Sequence, residues 1–375
     1  MKILRKQAIL LTVSVFLSLM NVFGLQNNFL KIKNIEISIT PVSNIGKIKT
    51  DIKPNNGLIQ YTGRIDFSDT LTPKFQTPGA YLKFKFSGTS CEILLNDSEG
   101  RNYLEIVVDE DSAFRIKTLR GIAGYIIKNL TNTEHTILVC KNTEVNIGSI
   151  EFMGISGCKL LPLPEKPTRK FEFYGNSITC GTGSDMSMVQ CGKGKWEDQH
   201  NAYMSYGAVV ARKLNAQWHL SSYSGIGLIH SCCNIEFTMP DVFNKIALLP
   251  NSNEWDFSKY VPDAVTICLG QNDGIQDSST FCNAYIQFIK QLRSKYPQAY
   301  IVCLTSPMAD EKLKEGLKKY ITSIVLAANN SGDTKVCKYF FSKSWNGGCD
   351  SHPSMAEHQE IAKELEIFLK SILNW

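Results

Sequence analysis

Apolar and polar positions alternate along this chain in two rhythms. From Ala80 to Phe86 the period is two, with Leu82, Phe84 and Phe86 on one face and Tyr81, Lys83 and Lys85 on the other. That period marks a strand with one buried face and one wetter face. Short apolar runs of strand length follow at 91–95, 103–108, 135–140 and 149–155, separated by turn clusters such as Asn96-Asp97-Ser98-Glu99-Gly100 and Thr131-Asn132-Thr133. No convincing helical pattern interrupts them between about residue 29 and residue 163, and no internal repeat is present. Many short strands joined by turns predict a β-sandwich.

Leu161-Pro162-Leu163-Pro164-Glu165-Lys166-Pro167 then stiffens the chain and removes backbone donors, which suits a linker. Beyond it the rhythm changes. A strand over 171–174 is followed by a helix over 203–214, a strand over 264–269, a helix over 281–295, a strand over 299–304, a helix over 311–328, a strand over 336–341 and an amphipathic helix over 355–372. Strands alternating with helices predict an α/β unit whose parallel sheet is covered on both faces. Reactive residues are then expected in loops beyond the carboxyl ends of the strands.

The first residues fit neither rhythm. Lys2, Arg5 and Lys6 precede an apolar run over 8–20 that ends in Val22-Phe23-Gly24, the pattern of a signal peptide. The run is too short and too soon polar for a convincing membrane span. The expected organisation is therefore a leader over 1–24, a β-sandwich over 25–165 and the α/β domain over 166–375, with the mature protein secreted or periplasmic and not held in a membrane. Three of the basic residues behind the formal charge of +5 lie in the leader, leaving +2, so no nucleic-acid partner is expected. Twelve cysteines are thinly spread, several of them (Cys91, Cys140, Cys268, Cys303) inside apolar runs. Most read as buried thiols, with one or two bridges open and their pairing undetermined.

Candidate chemistry gathers at strand ends. Lys170 to Gly183 reads as a strand running into a turn with one hydroxyl, Ser177, at its tip, and Gly175 lets the backbone pass close to a substrate. Taken alone, a serine there is more often a helix cap. Ser222-Tyr223-Ser224-Gly225-Ile226-Gly227 could aim the Gly225 N–H into a site, or could be a plain turn. Asn272 falls just past the strand over 264–269 with an amide donor available. His352 sits before the last helix, two residues after Asp350 and next to Pro353.

In chain order, Ser177, Gly225, Asn272 and His352 resemble the blocks of the SGNH (GDSL) hydrolases, with Gly175-Asn176-Ser177-Ile178-Thr179 as the first block. Together with the β-rich front half, Lys141-Asn142-Thr143-Glu144, Asn201-Ala202-Tyr203 and Gly348 to Ser354, they look like the second family of carbohydrate esterases, similar to acetylxylan esterases. The resemblance implies a jelly-roll sandwich ahead of a three-layer α/β/α SGNH domain. It also implies removal of O-acetyl groups from plant polysaccharides such as xylan and glucomannan, with no metal and no cofactor. Ser177 would be the nucleophile and His352 the general base and acid. The N–H groups of Ser177 and Gly225 and the Asn272 amide would hold the oxyanion. Asp350 is expected to orient His352, which needs an extended chain from Cys349 to His352. The family also implies members in which a backbone carbonyl replaces that acid.

Asn176 replaces the usual aspartate of the first block. Ser351 stands where relatives often carry an aromatic residue, which leaves Trp345 as the candidate for stacking on the sugar, or as a loop anchor. His358 is expected to face solvent. His230-Ser231-Cys232-Cys233 lacks the spacing of a zinc site, 191–196 resembles a phosphate loop only superficially, and 314–319 is a charged helix face. The rival readings are a non-catalytic carbohydrate-binding protein and an esterase for another acyl group, such as a short lipid or an acetylated sialic acid. The oligomeric state stays open.

Overall fold

The computed structural model describes residues 29–42 and 50–375, so the expected leader lies outside the described residues. In chain order the first part carries β1 (Phe29–Ile32), β2 (Ile35–Pro41), β3 (Gln60–Thr62), β4 (Ile65–Asp66), β5 (Lys74–Phe75), β6 (Tyr81–Gly88), β7 (Cys91–Asp97), β8 (Tyr103–Val108), β9 (Ser112–Lys117), β10 (Gly121–Lys128), β11 (Thr133–Lys141), β12 (Ile150–Ser156) and β13 (Lys159–Leu161). They form a seven-stranded sheet in the order β1-β2-β10-β7-β12-β5-β4 and a six-stranded sheet in the order β13-β6-β11-β8-β9, with β3 also paired to β6. Pairing is antiparallel throughout. Leu82, Phe84 and Phe86 of β6 point into one core with Ile93, Tyr125 and Phe152 of the other sheet. Two sheets sharing a single core make a sandwich.

The second part carries β14 (Lys170–Gly175), α1 (Ser177–Cys180), α2 (Tyr206–Lys213), β15 (Gln217–Ser222), α3 (Met239–Val242), β16 (Ala264–Cys268), α4 (Ser278–Lys295), β17 (Tyr300–Leu304), α5 (Glu311–Asn330), β18 (Val336–Tyr339) and α6 (Met355–Leu373). The five strands pair in parallel in the order β15-β14-β16-β17-β18. Val265, Ile267 and Ile301 pack against α4 and α5, whereas Phe171 and Phe173 pack against α2 and α6. The sheet is thus covered on both faces, and its helices start where the sequence supplies acceptors. Asp277 caps α4 through Thr280 N at 2.9 Å, Asp310 caps α5 through Leu313 N at 2.8 Å, and Ser354 and Glu357 form a capping box at α6. Among the described residues no helix is long and apolar enough to cross a membrane.

Two features depart from expectation. β15 is a strand of polar character, Gln-Trp-His-Leu-Ser-Ser, and every residue in it is buried. It is an edge strand that the sandwich covers: Trp218 Nε1 donates to Gly79 O at 3.0 Å, and its ring lies 4.4 Å from that of Tyr81. His358 does not face solvent. Its ring stacks on Tyr206, and Nδ1 accepts the Tyr206 N–H, an otherwise unpaired donor in the first turn of α2, at 3.2 Å. Burial holds this imidazole at about 3, so it remains neutral.

Candidate active site

Ser177 is the first residue of α1, immediately past β14. The turn is tight for a reason local to the sequence. A Cβ on Gly175 would lie 2.1 Å from Thr179 Oγ1, so the glycine serves the close return of the chain. Asn176 caps the turn by accepting the Ile178 N–H at 3.2 Å. A neutral amide does this as well as the aspartate it replaces, and places no charge beside the serine. Ser177 is 7% exposed, and its Oγ lies 2.8 Å from His352 Nε2.

The other imidazole nitrogen meets only acceptors. His352 Nδ1 is 3.1 Å from Asp350 O and 3.3 Å from Cys349 O, both backbone carbonyls. Nδ1 must therefore carry the proton, which leaves Nε2 with its lone pair directed at Ser177 Oγ. Burial lowers the His352 pKa below its usual value, against the opposing pull of the two carbonyls and the Asp350 charge, so the ring is neutral at neutral pH. The expectation that the Asp350 carboxylate orients this ring is corrected. Cys349, Asp350 and Ser351 form a 3-10 turn in which Asp350 and Ser351 are left-handed, at φ 52° and 58°, not extended. The turn sends the Asp350 side chain to the surface and brings its carbonyl to the ring.

The turn is held from beneath. Cys349 N donates to Gly183 O at 2.8 Å, Gly348 N to His352 O at 2.7 Å, and Cys349 is bridged to Cys191. A second bridge joins the adjacent Cys232 and Cys233, while Cys91, Cys140, Cys180, Cys268 and Cys303 are free and buried.

Gly225 and Asn272 lie on loops after β15 and β16. Gly225 is left-handed, at φ 84°, and a Cβ there would meet Ile235 Cδ1 at 2.7 Å, so only glycine fits. Asn272 Nδ2 donates one hydrogen to Ile226 O at 2.8 Å, fixing the amide beside the Gly225 loop with its second N–H to spare. Two buried acids to which the sequence assigned no role hold that loop. Asp273 accepts from Leu228 N, Ile229 N and His230 N at 2.7–3.0 Å. Glu144, from the sandwich, accepts Ser224 N at 3.1 Å and the Thr182 hydroxyl. Burial pushes the Glu144 carboxyl up, opposed by these hydrogen bonds and by Lys141. Asp273 directly follows Asn272; Glu144 falls in the 141–144 stretch that carries part of the family resemblance, but nothing local gives it a role.

Trp345 is corrected as a sugar platform. It is 2% exposed, edge-on to Phe341 in the core, with its backbone N–H on Pro307 O at 2.8 Å, and so is a loop anchor. Trp196, edge-on to the buried His200 at 4.3 Å, is 39% exposed.

Residues 61–164 match the model of the carbohydrate esterase 2 N-terminal domain, and residues 173–337 that of the GDSL-like lipase/acylhydrolase family. A family two carbohydrate esterase from Clostridium thermocellum, solved with cellohexaose, is 34% identical with a TM-score of 0.79, over 84% of this chain and 99% of that one. The cellulase/esterase CelE of Acetivibrio thermocellus is 36% identical over 87% of this chain, which spans only 41% of that protein's length. An acetylxylan esterase/glucomannan deacetylase of Cellvibrio japonicus is 28% identical over 84% of this chain and 89% of its own.

Proposed function

Because the chain belongs to the family two carbohydrate esterases, we propose that it removes O-acetyl groups from xylan- and glucomannan-type polysaccharides by Ser177/His352 nucleophilic catalysis. The observation that carries this reading is the 2.8 Å contact between Ser177 Oγ and an unprotonated His352 Nε2. Ser177 Oγ attacks the acetyl carbonyl carbon while His352 Nε2 takes its proton. The tetrahedral oxyanion is met by the Ser177 and Gly225 N–H groups and the free N–H of Asn272. On collapse, His352 returns the proton to the departing sugar oxygen, leaving acetyl-Ser177. A water activated by the same nitrogen then releases acetate. Two backbone carbonyls at Nδ1 orient the ring and stabilise the transient imidazolium through their dipoles.

The basic-then-apolar first residues and the Cys191–Cys349 bridge support an extracytoplasmic location. A second reading, binding of a glucan chain across the same site, is favoured by the relative solved with cellohexaose. Acetate release from acetylated xylan, acetylated glucomannan and 4-nitrophenyl acetate, by wild type beside Ser177→Ala, tests the proposal. The wild type should hydrolyse all three and the variant none. Glucan binding with no release from any ester would leave only the second reading standing.

A further inference from the structure

Past the end of β11 the sandwich sends one loop, 141–144, into the α/β domain. Asn142 Oδ1 accepts Tyr203 N at 3.0 Å, its carbonyl accepts Ala202 N at 3.1 Å, and Lys141 Nζ spans Thr143 O and Glu144 O at 2.7 and 2.9 Å. The loop is thereby rigid, and at its tip Glu144 is 1% exposed. We propose that Glu144 is a positioning residue for ester hydrolysis: its carboxylate ties the segment that follows Ser177 to the segment that carries Gly225, and so sets the oxyanion donors against the nucleophile. The inference rests on the reading of Ser177 and Gly225 given above.

Both arms are short. On one side an oxygen of Glu144 accepts the Thr182 hydroxyl, and Thr182 N donates to Ser177 O at 3.0 Å. On the other side Glu144 Oε2 accepts Ser224 N at 3.1 Å. That N–H belongs to the peptide before the one that carries the Gly225 N–H, so the bond anchors Ser224 Cα, from which the Gly225 peptide plane starts. Thr182 Oγ1 and Ser224 Oγ, 2.9 Å apart, close the ring.

Three further groups face the carboxylate: the Lys141 ammonium, the buried Cys180 thiol, and His200, whose Nε2 lies 3.3 Å from Glu144 Oε1. His200 Nδ1 accepts Gly183 N at 3.3 Å, so its Nε2 carries the hydrogen, close to the carboxylate but without hydrogen-bond geometry to it. Every neighbour of the two oxygens is thus a donor. The Ser224 N–H is a fixed donor, so a glutamine must keep its oxygen there and turn its NH₂ toward the His200 N–H and the Thr182 hydroxyl, which would have to reverse to accept it.

The test uses the full chain with Glu144→Gln, Glu144→Ala and Thr182→Val. For 4-nitrophenyl acetate, Glu144→Gln should lower kcat by about ten- to a hundredfold with KM within about threefold, because a misaimed donor is felt chiefly at the transition state. Amide exchange at Ser224 should quicken by about tenfold or more in Glu144→Ala while exchange in the sandwich strands stays slow. Thr182→Val, which removes one arm only, should give a smaller fall in kcat and keeps the question open to refutation if Glu144→Ala does not fold. A folded Glu144→Gln with wild-type kcat, or unchanged protection at Ser224, would overturn the proposal. A wild type that hydrolyses no ester would instead defeat the functional reading, and the exchange measurement would still decide whether the clamp exists.

Discussion

Arg64 and Glu144 both reach from the sandwich into the α/β domain, one as a cation and one as an anion, and they enter it at different levels. Arg64 meets the middle of β14. Its Nε and Nη2 donate to Glu172 Oε1 at 3.2 and 2.7 Å, Nη2 to Tyr174 OH at 2.6 Å, and Nη1 to Phe243 O and Lys245 O at 2.6 and 2.8 Å. Ser221 and Tyr296 complete the shell around Glu172, and both charged side chains are at most 1% exposed. Burial works to raise the Glu172 carboxyl, and Arg64 with the hydrogen bonds more than offsets it, leaving the acid ionised. Glu144 has one cation nearby, Lys141, but that ammonium hydrogen-bonds backbone carbonyls and not the carboxylate. Its oxygens accept a backbone N–H and a hydroxyl, with a neutral imidazole beside them, all on loops. A closed ion pair in mid-sheet is suited to holding two domains together. An acceptor bridging two loops is suited to setting distances at a reaction centre, so one seam should govern stability and the other rate.

The sharpest way to break that contrast is Arg64→Met. Removing one partner leaves Glu172 buried without compensation, so the variant should lose about 3–5 kcal/mol in urea unfolding. The remaining folded enzyme should keep kcat within about threefold. Adding Glu172→Met should recover part of the loss, because two apolar groups leave no stranded charge. A variant that lost turnover without losing stability would erase the distinction between the seams.

Next in size is Asn272→Ala, which on the proposed mechanism removes a donor aimed at charge that exists only in the transition state. Turnover should fall by about a hundred- to a thousandfold, roughly 2.7–4 kcal/mol, with little change in the affinity for a deacetylated oligosaccharide measured directly. Equal losses in both would make Asn272 a binding group.

A third effect is read in pH. The active form of His352 is neutral and burial lowers its pKa, so kcat/KM should stay level from neutrality down through the ordinary histidine value of 6.5 and fall only below it, by about tenfold per unit. The sign is decisive: an acid limb with its midpoint above 6.5 would mean that an anion, not two carbonyls, faces Nδ1.

Sequence patterns carried the parallel sheet, its helices, the places of Ser177, Gly225 and Asn272 after strands and that of His352 before the last helix, because each of these depends on neighbours a few residues away. What one domain does to the other was not legible. β15 offers only Trp218 and Leu220 as apolar positions, and its polar residues are buried too because the sandwich hides its outer edge. Glu144 reads locally as one more polar residue at a strand end, and its meaning comes from Thr182 and Ser224, 38 and 80 positions away. His358 looked solvent-facing on a helix that meets α2 through the very N–H it accepts. Trp345 gave an aromatic side chain in the right loop, but the pattern carried no information on which way the ring turns.

Asp350 gives the smallest expected effect and the finest test. Its spacing from His352 suits an orienting acid only in an extended chain, and Pro353 does bias His352 itself that way, at φ −81° and ψ 160°. The bias does not reach the two residues before it, which turn left-handed and exchange side chain for carbonyl at the ring. Asp350→Asn keeps that carbonyl and the turn, since asparagine tolerates the left-handed region at least as well as aspartate. The carboxylate acts on the imidazole only through space and as the weakest of the influences on it. Turnover at pH 7 should therefore stay within about twofold of wild type, far from the ten-thousandfold that removal of a true orienting acid costs in a serine triad. A loss beyond about tenfold, roughly 1.4 kcal/mol of transition-state stabilisation, would require the chain to extend when substrate binds and would restore the acid to the mechanism.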